Sequence, residues 1–129
     1  MRYLLDTHTA IWALNGQDDK LSVKARSAIA DRTSNLAVSI ASAWEIAIKV
    51  SKGGQISDIG SVSVFLDKLR EYGVEILGIT VNEVRIVEAL PFVHKDPFDR
   101  VIIATAKANG LTLLSVDENV QKYDVDWVW

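Results

Sequence analysis

Cysteine is absent from this 129-residue chain. No disulfide framework and no thiolate metal site can therefore form, and the composition fits a reducing, cytoplasmic compartment. Long apolar runs are missing as well. The short run at the N-terminus, Tyr3-Leu4-Leu5, is cut by Asp6, so neither a signal peptide nor the roughly 18 apolar residues of a membrane span is expected. A basic excess is also lacking: 14 Lys+Arg stand against 17 Asp+Glu, for a formal charge of -3. Taken alone, that balance speaks against a nucleic-acid partner, because phosphate binders usually carry surplus positive charge. There is no repeat, no low-complexity tract and no linker. What is there is an apolar fraction of 49% with 24% charged residues, the composition expected of one ordinary globular domain.

Along the chain the hydrophobic period alternates between strand and helix. Arg2–Leu5 reads as a buried strand, followed by a helix over Thr9–Leu14 that Asn15-Gly16 closes. Ser22 caps a second helix to about Arg32, with Val23, Ala25, Ala28 and Ile29 at helical spacing. Leu36–Ser39 is a strand candidate leading into a helix from Ala41 to about Lys52, ended by Gly53-Gly54. Phe65, Leu66, Leu69 and Tyr72 mark an amphipathic helix stopped at Gly73, and Val74–Ile79 reads as a third strand. Thr80 and Glu83 form a capping box that opens a helix to about Leu90. Asp96-Pro97-Phe98-Asp99 is a strong helix start, with Asp96 as cap, Pro97 in the first turn and Asn109-Gly110 as the stop. Leu111–Ser115 and Val125–Trp129 complete the strands. Strands separated by helical stretches describe βα units. The fold class is α/β: a three-layer α/β/α domain with a mainly parallel central sheet of about five strands. Strand order does not follow from spacing.

In open α/β sheets ligands bind beyond the carboxyl ends of the strands. Four acids fall on that rim if the crossovers run in the usual way. Asp6 follows the first strand, Glu45 lies in the first turns after the second, Asp99 opens the helix leading to the fourth, and Asp117 follows the fourth. Four converging carboxylates repel one another and need a counter-charge, and the sequence offers only Lys49 one turn from Glu45. A hard divalent cation, Mg²⁺ or Mn²⁺, answers that need. Such a site suits phosphoryl chemistry, with metal-activated water attacking and a carboxylate as general base. Neither Gly-x-Ser-x-Gly nor a phosphate-binding Gly-x-x-x-x-Gly-Lys-Ser/Thr occurs, and His8 and His94 do not form a zinc spacing.

Each acid also has a purely structural reading. Asp96 is most simply a cap, Asp99 could favour the helix dipole by roughly 0.3–1 kcal/mol, and Asp117 and Asp6 could cap their own turns. Glu45 with Lys49 could be a surface pair worth about 0.3–0.5 kcal/mol. Only their joint placement points to a site. Trp12 and Trp44 read as core or interface, while Trp127 and Trp129 share one face of the terminal strand. Lys49, Lys52, Lys95 and Arg100 neighbour the acids and suit contacts to a phosphate backbone.

The same segments carry a resemblance. Leu5-Asp6-Thr7-His8-Thr9-Ala10-Ile11-Trp12-Ala13-Leu14 looks like the opening of PIN-domain proteins. Ser39 to Lys49, with Trp44-Glu45-Ile46, resembles their second acidic motif, and His94-Lys95-Asp96-Pro97-Phe98-Asp99-Arg100 their third. Leu113-Leu114-Ser115-Val116-Asp117 with Tyr123 is similar to the last. The likeness runs through nearly the whole chain in order and is strongest to VapC-type toxins of type II toxin–antitoxin modules. It implies a Mg²⁺- or Mn²⁺-dependent endoribonuclease acting on RNA in the cytoplasm, as a homodimer held inactive by a cognate antitoxin, with no membrane partner. By residue match the catalytic and metal-binding set is Asp6, Glu45, Asp99 and Asp117. Asp96 stays a cap or outer residue, and Thr7 and Ser115 match polar positions, Ser115 standing where Thr is commoner.

Three alternatives remain beside it. A structure-specific DNA or RNA nuclease outside a toxin module is the nearest, although no insertion is long enough to arch over a DNA fork. A catalytically silent binding domain is less compatible with four intact acids. A phospho-receiver would want adjacent acids after the first strand and an acceptor Asp after a middle one, but Asp6 stands alone beside Thr7 and Ile79 is followed by Thr80. The charge also reads differently now. Four site acids alone outweigh the formal excess of -3, so an acidic composition is no argument against an RNA substrate.

Overall fold

The computed structural model describes residues 1–54 and 59–129. Five short strands, β1 (Arg2–Leu5), β2 (Asn35–Ser39), β3 (Glu75–Leu77), β4 (Thr112–Leu114) and β5 (Trp127–Val128), form one sheet in the order β3-β2-β1-β4-β5. Every pairing is parallel. With them run α1 (Thr7–Leu14), α2 (Val23–Ala30), α3 (Ile40–Ser51), α4 (Val62–Glu71), α5 (Val81–Ala89), α6 (Pro97–Asn109) and α7 (Glu118–Gln121). No helix among the described residues is long and apolar enough to cross a membrane.

The alternation of side chains along a strand builds the layers. Leu4 is in register with Ala37 and Leu113, and these three join Ala41, Leu90, Ile102, Ile103 and Ala106 in the core on one face. Leu5 is in register with Val38 and Leu114, which pack with Ile11, Ile46, Phe65 and Leu69 on the other. A strand buried on both faces reads as a continuous apolar run, which is why β1 and β4 carry so little alternation in sequence.

The helices start where their caps allow. Ser22 accepts from Ala25 N–H at 3.0 Å, and Glu83 accepts from Thr80 N–H at 3.0 Å, as their spacing predicts. α3 begins one residue early, at Ile40, and two further starts lie earlier than expected. Asp6 accepts from Thr9 N–H at 3.0 Å, which sets the first helical residue at Thr7 rather than Thr9. Ser61 caps α4 at Val62, ahead of the apolar stripe that begins at Phe65. β3 is shorter than the apolar run Val74–Ile79: Leu77 pairs with Ser39, the last residue of β2, so Gly78 and Ile79 have no strand opposite them once α3 begins at Ile40. The four-residue α7 and the 3-10 turn at Asp18–Lys20 are too short to leave a periodic signal.

Strand order is the feature spacing could not supply. From β1 the chain builds outward through β2 and β3 on one side, then returns to place β4 and β5 on the other. The crevice beyond the carboxyl ends of β1 and β4 is therefore the switch point where such sheets bind ligands.

Arg100 departs from its expected role. It does not face a phosphate backbone: the side chain is buried, and its guanidinium donates to Pro91 O at 3.0 Å, Val87 O at 3.2 Å and Leu90 O at 3.4 Å. These are carbonyls at and just past the end of α5; Val87 O also accepts from Leu90 N–H and Pro91 O from Val93 N–H, so the guanidinium adds a second donor to both. Arg100 thus ties α5 to α6. We expect Arg100→Met to lower unfolding free energy by about 2–4 kcal/mol, because it removes the charged donor that bonds three carbonyls and the Tyr123 hydroxyl. Urea denaturation measures this, and a loss below about 0.5 kcal/mol would contradict the assigned role.

Candidate active site

The switch-point crevice is a cleft of about 320 Å³ lined by Asp6, Thr7, His8, Trp12, Glu45, Asp96, Asp99, Val116 and Asp117. All four acids singled out from sequence reach it, and Asp96 makes a fifth. They come from separate places in the chain. Asp6 is the N-cap of α1, Glu45 lies in the second turn of α3, Asp96 and Asp99 open α6, and Asp117 is the N-cap of α7. A larger cavity of about 530 Å³ lies at the opposite end of the strands, where Arg2 and Arg32 mix with Asp31 and Glu75. It lacks the converging carboxylates, so the smaller cleft is the candidate for chemistry.

Capping and lining the cleft are compatible, which the sequence had posed as a choice. Asp6 uses Oδ1 for Thr9 N–H. Asp96 uses Oδ1 for Phe98 N–H at 2.9 Å and Asp99 N–H at 3.1 Å, while Asp117 uses Oδ1 for Asn119 N–H at 2.8 Å. Each cap holds one carboxylate oxygen against a helix N-terminus and so fixes the plane of the other. Glu45 is fixed differently. Its Oε1 accepts from the Thr7 hydroxyl at 2.7 Å, that hydroxyl also lies 2.9 Å from Ser42 Oγ, and Lys49 Nζ is 3.3 Å from Oε2. Ser115 Oγ accepts from Asp117 N–H at 3.2 Å. The two polar positions Thr7 and Ser115 therefore orient the acids beside them.

Two of the acids resist ionisation. Burial pushes the Asp6 carboxyl up from the usual range, with the Ser115 hydroxyl and Thr9 acting the other way. Burial also pushes Asp99 up to about 6; the hydrogen bond from His94 opposes this, and the negative charges of Asp96 and Asp117 add to it. Nearby positive charge is sparse. Lys49 is committed to Glu45, and His94 Nε2 lies 3.1 Å from Asp99 Oδ2. Among the described residues no three acidic or imidazole side chains close to the spacing of a formed metal shell; the carboxylates stand around the cleft. Their chemistry nevertheless fits a hard divalent cation, since every donor is oxygen and a cation would offset the burial cost on Asp6 and Asp99.

Several side chains differ from expectation. Trp44, expected as core or interface, lies outside the core: it is 58% exposed, with its ring edge-on to Phe98 at 5.2 Å. Trp12 is half-buried, packs on Trp129 at 6.1 Å and walls the cleft. Of the basic neighbours, Lys52 and Lys95 are exposed, whereas Arg100 is buried. His94 and Tyr123 were not recognised as a pair, yet His94 Nδ1 lies 2.8 Å from Tyr123 OH. Both fall in the segments that carry the family resemblance, but no local spacing pairs them.

Comparison with known proteins follows the same lines. The chain matches the PIN domain family over residues 3–126. It is 33% identical over 121 residues to Ribonuclease VapC22 of Mycobacterium tuberculosis, covering 93% of this chain and 90% of that protein. In fold it resembles VapBC2 from Rickettsia felis bound to a DNA fragment from their promoter, with TM-score 0.72 and 18% identity over 99% of this chain and 98% of the other. A toxin–antitoxin complex from Klebsiella pneumoniae aligns with TM-score 0.65 and 18% identity, over 98% and 96% of the two chains.

The raised Asp99 pKa makes a stability prediction for the metal-free protein. A carboxyl raised to about 6 from 3.8 holds its proton more tightly when folded. Its stabilising contribution is complete below the unfolded value and is lost as pH rises through about 6. At about pH 7.5 the ionised group is therefore a net cost, about 1 kcal/mol once discounted for partial exposure. Metal-free Asp99→Asn should melt about 3–5 °C above wild type there, and the gain should shrink at about pH 5. Scanning calorimetry at the two pH values decides it, and an equal or lower melting temperature at the higher pH would contradict the burial of Asp99.

Proposed function

The chain belongs to the PIN domain family, and from that premise we propose that it is a VapC-type endoribonuclease, the toxin of a type II toxin–antitoxin module. Its nuclease domain would span residues 1–129. The observation that supports this reading best is five carboxylates, drawn from four separate segments of the chain, facing one cleft at the switch point of the sheet.

Asp6, Glu45, Asp99 and Asp117 would hold Mg²⁺ or Mn²⁺. When bound, the ion polarises the scissile phosphate and acidifies a water. The rest of the work falls to the chain itself. Asp6 and Asp117, each tied by Oδ1 to a helix N-terminus, keep a fixed orientation as the substrate arrives. Glu45, held by Thr7 and Lys49, cannot swing away from the cleft without breaking both contacts. A cleft carboxylate that retains an unengaged oxygen orients the attacking water as general base. Trp12 and Val116 add apolar surface to the same cleft, which suits the base beside the scissile phosphate. Hydrolysis needs no covalent intermediate on the protein.

The partners follow from the same reading: an RNA substrate, a cognate antitoxin, and a second copy of the chain that lengthens the groove. The Klebsiella pneumoniae structure is described as a toxin–antitoxin complex, which supports the antitoxin. Cleavage of single-stranded RNA should require Mg²⁺ or Mn²⁺ and stop with EDTA. Asp6→Asn and Asp99→Asn should each lower the rate about 10²–10³-fold, the loss of several kcal/mol of transition-state stabilisation. Full activity in either variant, or indifference to EDTA, overturns the site. Cleavage of a DNA strand at the same rate overturns the assignment to RNA.

A further inference from the structure

Behind Asp99 lies a hydrogen-bond chain that the acidic cleft does not include. His94 sits before the Asp96 cap and Asp99 after it, and their side chains meet with Nε2 at 3.1 Å from Oδ2. They are only 13% and 21% exposed, so solvent competes weakly for the contact. On the far side of the ring, Nδ1 lies 2.8 Å from Tyr123 OH. The Tyr123 oxygen is itself 3.0 Å from the Arg100 guanidinium and 3.3 Å from the backbone N–H of His94. Arg100 is immobilised by three carbonyls, and Phe92 lies 4.9 Å from its guanidinium carbon.

Counting protons gives this chain a direction. Arg100 and the backbone N–H can only donate, so both lone pairs of the phenol oxygen are engaged. Its own proton must then go to an acceptor. His94 Nδ1 at 2.8 Å is far better placed than the His94 carbonyl at 3.4 Å. A neutral imidazole that accepts at Nδ1 carries its hydrogen on Nε2, and that hydrogen points to Asp99 Oδ2. Donation therefore runs from Arg100 through Tyr123 and His94 to Asp99.

We propose that His94 is a positioning residue for Asp99, locked by Tyr123 and Arg100 in the tautomer that donates to one carboxylate oxygen and leaves the other for the ligand of the cleft. An imidazole filling space would need no such polarity. A flipped tautomer would turn a lone pair towards the carboxylate and release it. The inference rests on the nuclease reading for what Asp99 does, but the tautomer stands on its own.

Two measurements test it. Proton–nitrogen correlation spectra of the metal-free protein at about pH 8 should show His94 as the Nε2–H tautomer. Tyr123→Phe should convert it to a mixture. An Nδ1–H ring or an imidazolium in the wild type overturns the proposal, whether or not the protein cuts RNA. The second measurement is a cycle of RNA cleavage rates, with melting temperatures recorded throughout. His94→Leu should lower kcat about 10–100-fold with KM within about 2-fold. His94→Gln, which keeps a side-chain N–H for Asp99, should recover to within about 5-fold of wild type. Tyr123→Phe should cost about 10-fold alone and nothing further in the H94Q background, because an amide donor has no tautomer to fix. A normally melting His94→Gln as inactive as His94→Leu, or an additive effect of Tyr123→Phe, overturns it. A wild type that cuts no RNA refutes the nuclease reading and leaves the spectra to decide the relay.

Discussion

Mutual repulsion among the carboxylates at the β1–β4 edge is the constraint on which the other local choices depend, because five acids facing a cleft of about 320 Å³ must be held against their tendency to swing into water or to protonate. The fold meets this with backbone rather than with basic side chains. Asp6, Asp96 and Asp117 each sit at the N-cap of a helix, where unpaired N–H groups and the positive end of the helix dipole favour an anion. A lysine in the same place would neutralise the site and compete with any cation. Helix N-termini stabilise the charge without occupying the cleft. The compensation is incomplete: burial still pushes Asp6 and Asp99 up, and at Asp99 the charges of Asp96 and Asp117 add to it. Stability given up at such a position is what a functional site commonly exacts.

Polar interior contacts then keep the edge rigid. Thr9 is fully buried, and its hydroxyl donates to Leu114 O at 3.0 Å, which fastens the first turn of α1 to the end of β4. Asp6 N–H reaches the same carbonyl at 3.3 Å. The two strands that flank the switch point are thereby joined beyond their last paired residues. Thr7, two residues before Thr9, performs the equivalent service towards α3 through Ser42 and Glu45. Alternate residues of one short segment thus tie Asp6 to both sides of the cleft.

How much of this could be read from sequence depends on the range of each interaction. The α/β class and the helix starts at Ser22, Thr80 and Asp96 rest on local pattern, and the structure places them accordingly; the four acids, expected on one rim, line one cleft. Other features depend on partners that spacing cannot reveal. The strand order decides that Asp6 and Asp117 share a crevice, and no periodicity encodes it. β3 is cut short by the end of β2, so its own apolar run overstated it. Arg100 looked like a phosphate ligand because its destination, the carbonyls that end α5, is defined only once α5 and α6 pack together. Tyr123 lies 29 residues from His94, and nothing local links them.

The segment from His94 to Arg100 brings these strands of argument together. Pro97 has no N–H to satisfy, so the Asp96 carboxylate can serve the N–H groups of Phe98 and Asp99 instead. That cap aims the chain into α6 with Asp99 on the cleft side, while Arg100, the next residue, turns inward to α5 and Tyr123. His94, just before the cap, is then close enough to bond both Asp99 and Tyr123. One tight helix start therefore assigns three charged neighbours three different tasks: Asp96 holds the backbone, Asp99 faces the ligand, and Arg100 anchors the hydrogen bonds behind it. Net charge alone cannot distinguish these tasks. The acidic composition spoke against a nucleic-acid partner and Arg100 beside Asp99 suggested a phosphate contact, whereas the geometry turns the acids towards the cleft and directs Arg100 inward to hold them in place.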